Sequence, residues 1–364
     1  MIITQLQLLI HPFTKVEESF NLHGIYDYLF QSTWSTWAHQ GDHLTFTGPI
    51  PRTFLGSIIV GFISSPIISI FKTLGFLNSK YGQHLVRSIL AIINSSSIAY
   101  FGLCTRYVFG NSIGMMTIIL SSLQFHLPFY SSRTLPNMFA FSLGPLLRCG
   151  SLLSLAAVIF RLELLALLFP ITLFSLISRS VSIWEVLTRG FLVVFAALEV
   201  TVPLDSYFWQ KFTWPEGSSV FFNVIQGHSS DWGIMPWHEY FTKSLPKLLG
   251  LSYPIGLIGF LIDRKTSFLG INCLVFISLM SFLKHKEWRF IVYVIPIFNL
   301  STSVCLTKIG MMCPSIKNLR WYLFTLICLI TVSQTVFTSY ISYHNYPGGR
   351  ALKDLHSIPS LANR

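Results

Sequence analysis

The sequence predicts an all-α polytopic membrane protein, and three observations carry that prediction. Of its 364 residues 52% are hydrophobic and only 11% are charged, against roughly 25% charged in soluble domains. The mean hydropathy is +0.59. The apolar residues gather into runs near the ~20 residues that a helix needs to cross a bilayer. Such runs are helical because lipid cannot satisfy free backbone N–H and C=O groups.

The chain opens on an apolar stretch, 1–13, shorter than a span. It lacks the charged start and small-residue cleavage site of a signal peptide, so it reads as the end of a first span whose start is missing. A polar loop at 13–52 follows. Spans are then expected at 53–76, 85–104 and 110–129. The run 135–178 is long enough for two, interrupted by Arg148, Arg161 and Glu163. A shorter span at 190–204 closes an N-terminal module, 1–204. An aromatic, polar loop occupies 205–247. Four more spans, at 248–262, 267–283, 290–311 and 321–342, make a C-terminal module, 248–342, before a short tail, 343–364. The total is about ten or eleven spans.

The net charge of +11 does not point to nucleic acid, because the basic residues are dispersed at the ends of apolar runs, where they act as topology signals. Short loops holding Lys72, Lys80 and Arg87, Arg179 and Arg189, Arg264 and Lys265, and Lys308, Lys317 and Arg320 are placed in the cytoplasm on that rule. The other side then collects Glu17, Glu18, Asp27, Asp42, Asp205, Glu216, Asp231, Glu239, Glu287 and Asp354, ten of the 14 acids. An acid-rich external face suits an enzyme working on a polar substrate at the membrane surface, whereas a transporter holds its acids near the midplane. The six cysteines lie in or beside apolar runs, so no disulfide framework is expected. Asn94 and Asn299 match the glycosylation pattern but fall inside expected spans.

Several stretches carry residues suited to chemistry, each with a plainer reading beside it. Glu17 and Glu18 sit where the chain leaves the first apolar stretch, and carboxylates near lipid are costly unless they work or face water. Asp42, His43 and Arg52 close the first loop, with Pro49 and Pro51 stopping any helix through it; loop punctuation is the plain reading. Arg133 ends a span and can simply snorkel. Asp205, Tyr207 and Trp209, with Trp214 and Glu216, combine rings and carboxylates as sugar sites do, and an interfacial aromatic belt does the same. His285, Lys286 and Arg289 put three cations within five positions at a span mouth. That set suits a phosphate, or a lipid headgroup anchor. No metal-ligand spacing, phosphate loop or Ser/His/Asp order stands out.

The runs TKVEESFN (14–21), DHLTFTGPIPRTFLG (42–56), SRTLPN (132–137), DSYFW (205–209), TWPEG (213–217), HKEWRF (285–290) and YPGG (346–349) together resemble one family. They are similar to the endoplasmic-reticulum mannosyltransferases that use dolichyl-phosphate mannose, in glycosyltransferase family 22 of the GT-C class. TKVEESFN with DHLTFTGPIPRTFLG most resembles the branch that adds an α-1,6-linked eighth mannose to the seven-mannose lipid-linked oligosaccharide of N-glycosylation. The resemblance covers residues 11 to about 357 and implies a GT-C fold with the catalytic machinery in 1–204. It departs from the family pattern in the short first span, the short 137–161 stretch and the short tail, which read as a shortened chain or a splice form.

The resemblance implies an inverting transfer at the lumenal face of the reticulum membrane, with dolichyl-phosphate mannose as donor, a dolichyl-diphosphate-linked oligosaccharide as acceptor, membrane lipid as surroundings, and no metal or cofactor. One base takes the acceptor hydroxyl proton, a task worth roughly 10²–10⁴-fold. In EESFN the family order is acid, acid, any residue, Phe, Asn, and it implies Glu17 as base with Glu18 orienting substrate; the converse stays open. His285, Lys286 and Arg289 would hold the donor phosphate, on one face of the helix into 290–311. Asp42, His43, Arg52, Arg133, Asp205, Tyr207, Trp209, Trp214 and Glu216 would bind substrate. The alternatives are a family member acting on another oligosaccharide arm or a glycolipid anchor, and a non-catalytic membrane protein such as a flippase or lipid carrier.

Overall fold

The computed structural model describes residues 1–31, 33–75, 79–143, 150–313, 315–316 and 318–355, and among them every regular element is a helix. Arg148, Cys149, Lys317 and the tail beyond 355 lie outside the described residues.

Five helices are long and apolar enough to cross a membrane: Leu55–Thr73, Gly82–Phe109, Ile183–Trp209, Trp288–Met312 and Leu319–His344. The pair Tyr240–Leu249 and Ser252–Ile262, bent by 105°, makes a sixth if counted as one span. Other apolar helices are too short to span alone. The run expected at 110–129 is two pieces, Asn111–Leu123 and His126–Ser131. The break falls at Gln124, whose amide exchanges hydrogen bonds of 3.0 and 2.9 Å with Asn299 in the bundle interior. Such a pair is kept inside an apolar bundle because both amides are satisfied.

The Trp288–Met312 helix is the central one, with 89% of its most apolar stretch buried, whereas in Ile183–Trp209 the share is 11% and most of the apolar surface faces outward. Close packing around the central helix rests on small residues. A Cβ on Gly259 would stand 2.3 Å from the Ser301 carbonyl oxygen, and one on Gly256 would stand 3.1 Å from that of Phe298. Ser301 and Thr302 spend their hydroxyls on the Gly256 and Ser252 carbonyls.

The bundle has two distinguishable ends. At one, Lys265 donates to the Val108 carbonyl, Lys308 pairs with Asp263, and Gly310 packs on Arg320. This end gathers basic residues as expected. At the other, Phe13, Glu18, Arg133 and Tyr346 come together. Arg87 corrects the expected topology. It is not in a basic loop at the first end; it is fully buried at the second, donating to the Pro12 carbonyl at 2.8 Å and to those of His11 and Ser132 at 3.3 Å. Its helix therefore runs from the Glu18 end toward Val108.

The aromatic segment expected to begin a loop at Asp205 instead finishes a helix. Ser182 and Glu185 cap its start reciprocally. Helical structure continues through Trp209 and stops at Gln210, which takes a left-handed conformation at φ 53°.

Candidate active site

The turn Val16–Glu18 leads into the helix Ser19–Phe30, and this segment docks on the distant run 130–134. Arg133 donates to Glu18 Oε1 at 2.8 Å, and neither side chain has any exposure. The backbone N–H of Lys15 reaches the same oxygen at 2.9 Å. Arg133 also donates to the Phe13 carbonyl at 2.7 Å and lies 4.4 Å from the Phe129 ring centre. Asn21 donates to the Thr134 carbonyl at 2.7 Å, and Lys15 Nζ to the Tyr130 hydroxyl at 2.7 Å. Glu18 is thus committed to the scaffold, although its Oε2 has no partner among the described residues.

Glu17 differs. It is half-buried, and its carboxylate makes no hydrogen bond among the described residues. Its backbone carbonyl is gripped by Arg52 at 2.7 Å. The Arg52 backbone oxygen accepts from the Trp209 indole at 3.0 Å, which fixes the loop end.

Arg52 shares its surroundings with Arg161 and Arg289. Burial first, and then the other two guanidiniums, bring its pKa down to about 10, while Glu17 and Glu216 oppose. Arg161 donates to Asn137 Oδ1 at 2.8 Å and lies 3.9 Å from Glu163. Asn137 donates to Glu163 at 2.5 Å. Glu216 accepts the Leu162 N–H at 3.0 Å, and burial pushes its carboxyl up to about 7 against the pull of Arg161. The region therefore holds three arginines and several carboxylates, with Glu17 the least encumbered acid.

The run 285–290 differs from the expected helix start. The helical turn begins only at Trp288, so His285 and Arg289 do not share a helix face. They meet instead on one carboxylate oxygen, Glu287 Oε1, at 3.2 Å from His285 Nε2 and 2.5 Å from Arg289. Lys286 faces elsewhere. Its ammonium donates to the Leu283 carbonyl at 2.6 Å and the Met235 carbonyl at 3.2 Å.

The remaining sequence candidates separate into scaffold and surface. Asp205 is fully buried and spends its oxygens on the Phe54 N–H at 2.8 Å and the Thr201 hydroxyl at 2.7 Å. It clamps the Ile183–Trp209 helix to the start of Leu55–Thr73. His43 is buried between the Phe54 and Trp209 rings, with Nε2 2.8 Å from the Phe208 carbonyl. Trp209 stacks on Phe20 at 5.9 Å. Trp214 donates to the Val158 carbonyl at 3.3 Å. Tyr207 and Asp42 are exposed. Sequence reasoning missed Arg161 and Glu163 as site residues. The available signal was ionisable groups inside an apolar run, which mark function more often than topology.

Residues 3–361 match the Alg9-like mannosyltransferase family. The chain belongs to that family. A relative from Arabidopsis thaliana, named Dol-P-Man:Man(7)GlcNAc(2)-PP-Dol alpha-1,6-mannosyltransferase, is 39% identical over 97% of this chain and 72% of its own length. A relative of the same name from Drosophila melanogaster is 35% identical over 95% of this chain, which spans 52% of that protein. The fold is that of GT-C membrane glycosyltransferases. ArnT from Cupriavidus metallidurans, solved bound to undecaprenyl phosphate, superposes with a TM-score of 0.58 at 13% identity, over 94% of this chain and 74% of ArnT.

Proposed function

We propose that this family member is an inverting mannosyltransferase acting at the lumenal face of the endoplasmic-reticulum membrane. It moves mannose from dolichyl-phosphate mannose to a 6-hydroxyl of the seven-mannose lipid-linked oligosaccharide, giving an α-1,6 linkage. The names of the relatives that match 95–97% of this chain support donor, acceptor and linkage. The observation that carries the mechanism is the split between two adjacent acids: Glu18 is locked to Arg133, and among the described residues the Glu17 carboxylate has no partner, with arginines nearby.

The chemistry follows from that split. The acceptor oxygen bonds to the donor C1 from the face opposite the phosphate while the C1–O bond to phosphate breaks. Glu17 takes the hydroxyl proton. Dolichyl phosphate leaves with the bonding electrons and needs no proton at neutral pH. Arg289 and His285 meet its growing charge, a role in which donors act in the transition state more than in the ground state. Arg289 and His285 are now paired with Glu287, so a donor phosphate would exchange one anion for another on the same two side chains.

The test is complementation of cells that accumulate the seven-mannose oligosaccharide, followed by a microsomal assay of Glu17→Gln. Complementation by the wild type, with transfer by Glu17→Gln lowered 10²-fold or more, is expected. Near-normal transfer by that variant excludes Glu17 as the base. For the side of the membrane, a glycosylation tag in 13–52 should be modified and one at 263–265 should not.

A further inference from the structure

A second concave surface lies along the first loop, on the outward side of the helix that follows the two glutamates. It is a groove of about 400 Å³, with His23, Tyr26, Asp27 and Gln31 on one wall and Gln40, Gly41 and Asp42 on the other. Residues 23, 26 and 27 are neighbours on one helix face. The opposite face, at Asn21, Gly24 and Ile25, is buried, and Gly24 abuts Ser57. The groove is therefore not a by-product of core packing. Its lining suits a neutral polyhydroxylated ligand. Two carboxylates offer acceptors only, two amides offer both donors and acceptors, and sugar hydroxyls answer both. The Tyr26 ring is exposed, as a platform for the apolar face of a sugar must be. His23 shares the lining with the two aspartates, but among the described residues no three His, Cys, Asp or Glu side chains are placed to hold a metal ion.

Position decides which sugar. Asp27 stands eight residues after Ser19 in one continuous helix, on the order of 12 Å along its axis, and Glu17 precedes that helix. The Asp27 end of the groove is thus too far from Glu17 to hold the sugar that reacts, and near enough to hold another part of the same branched acceptor. We propose that the Tyr26–Asp27–Asp42 groove is a distal sugar subsite that holds a mannose branch of the acceptor other than the one being extended. This rests on the acceptor proposed above and assigns the groove a share of its recognition.

The test uses the purified full chain and two variants, Tyr26→Ala and Asp42→Asn. With the seven-mannose acceptor each should raise the acceptor KM roughly five- to tenfold, the loss of one or two hydrogen bonds or of a stacking face. The kcat and the donor KM should not move, which also shows that the variants fold. With an acceptor trimmed of its non-reacting branches the wild type should already show the raised KM, and the variants should add nothing. Unchanged KM with the full acceptor, or an equal rise with both acceptors, overturns the subsite. Binding of the free seven-mannose glycan, read by calorimetry, separates the two proposals. If the wild type transfers no mannose yet binds the glycan through Tyr26 and Asp42, the subsite stands and the catalytic reading fails. A calcium-dependent rise in melting temperature that Asp42→Asn abolishes would make the groove a cation site and overturn it.

Discussion

Glu18→Gln should cost stability where Glu17→Gln costs only chemistry. In the folded protein Arg133 and Glu18 are both fully buried, 2.8 Å apart. Gln at 18 keeps the shape and an oxygen that can accept the Lys15 N–H, but it removes the charge opposite Arg133. Removing one partner of a buried ion pair costs about 3–5 kcal/mol, because the other charge is left uncompensated. Arg133 keeps the Phe13 carbonyl at 2.7 Å and the Phe129 ring, so the lower end, about 3 kcal/mol, applies. At ~2.1 cal/mol/K per residue over 364 residues, that corresponds to a fall in melting temperature on the order of 4 °C. Among the described residues Glu17 has no comparable partner, so Glu17→Gln should melt with the wild type. The assay is thermal unfolding of the two purified variants in one detergent, beside transfer rates measured well below either transition. A Glu18→Gln protein that melts with the wild type, paired with an early-melting Glu17→Gln protein, would reverse the assignment of scaffold and base.

Three further outcomes are expected. Asp205→Ala strands the buried Phe54 N–H and the Thr201 hydroxyl and should cost about 1–3 kcal/mol in denaturation, since unmet buried donors cost that much; an unchanged midpoint would remove Asp205 as the clamp between its two helices. Glu216 holds its proton up to about pH 7 in the folded protein, against an ordinary 4.5. The folded state therefore binds more protons than the unfolded one between those values, and this contribution is fully present below 4.5 and lost as pH rises to 7. At ~1.4 kcal/mol per unit it amounts to at most about 3 kcal/mol, and a Glu216→Gln protein whose stability keeps the wild-type slope across that window contradicts it. Arg289→Ala should lower kcat on the order of 10²–10³ with a smaller change in donor KM; a raised KM at constant kcat would make Arg289 a headgroup anchor only.

Which parts of this were readable in the sequence depends on how far apart the partners lie. Two carboxylates at the end of an apolar run are conspicuous, so the Glu17–Glu18 stretch stood out without any structure. Its partner did not, because Arg133 lies 115 residues away and no local pattern distinguishes an arginine that snorkels from one that pairs. Asp205 failed in the same way: among aromatic residues it resembles a sugar-binding acid, and only the Phe54 N–H, 151 residues distant, shows it to be a clamp. Arg87 failed for a different reason. The rule that basic loops face the cytoplasm counts charges near helix ends, and it cannot recognise an arginine drawn to the opposite end by backbone carbonyls at His11, Pro12 and Ser132. The run 285–290 was misread because nothing in it breaks a helix. In the structure the turn begins only at Trp288, and Lys286 turns back onto Leu283 and across to Met235.

The division of labour between two identical neighbours has a geometric origin. Val16–Glu18 is a single 3₁₀ turn, with three residues per turn, so consecutive side chains diverge by about 120°. If Glu18 points into Arg133, Glu17 cannot, and it is directed to the side where Arg52 holds its carbonyl. The buried pair and the Arg52 contact fix the backbone on both sides of the Glu17 Cα. On the mechanism proposed above, a base on such a mount would keep its carboxylate accessible while losing little freedom on binding substrate, the arrangement that orientation effects reward. On that proposal the two adjacent acids are not redundant: the committed Glu18 would make the uncommitted Glu17 usable.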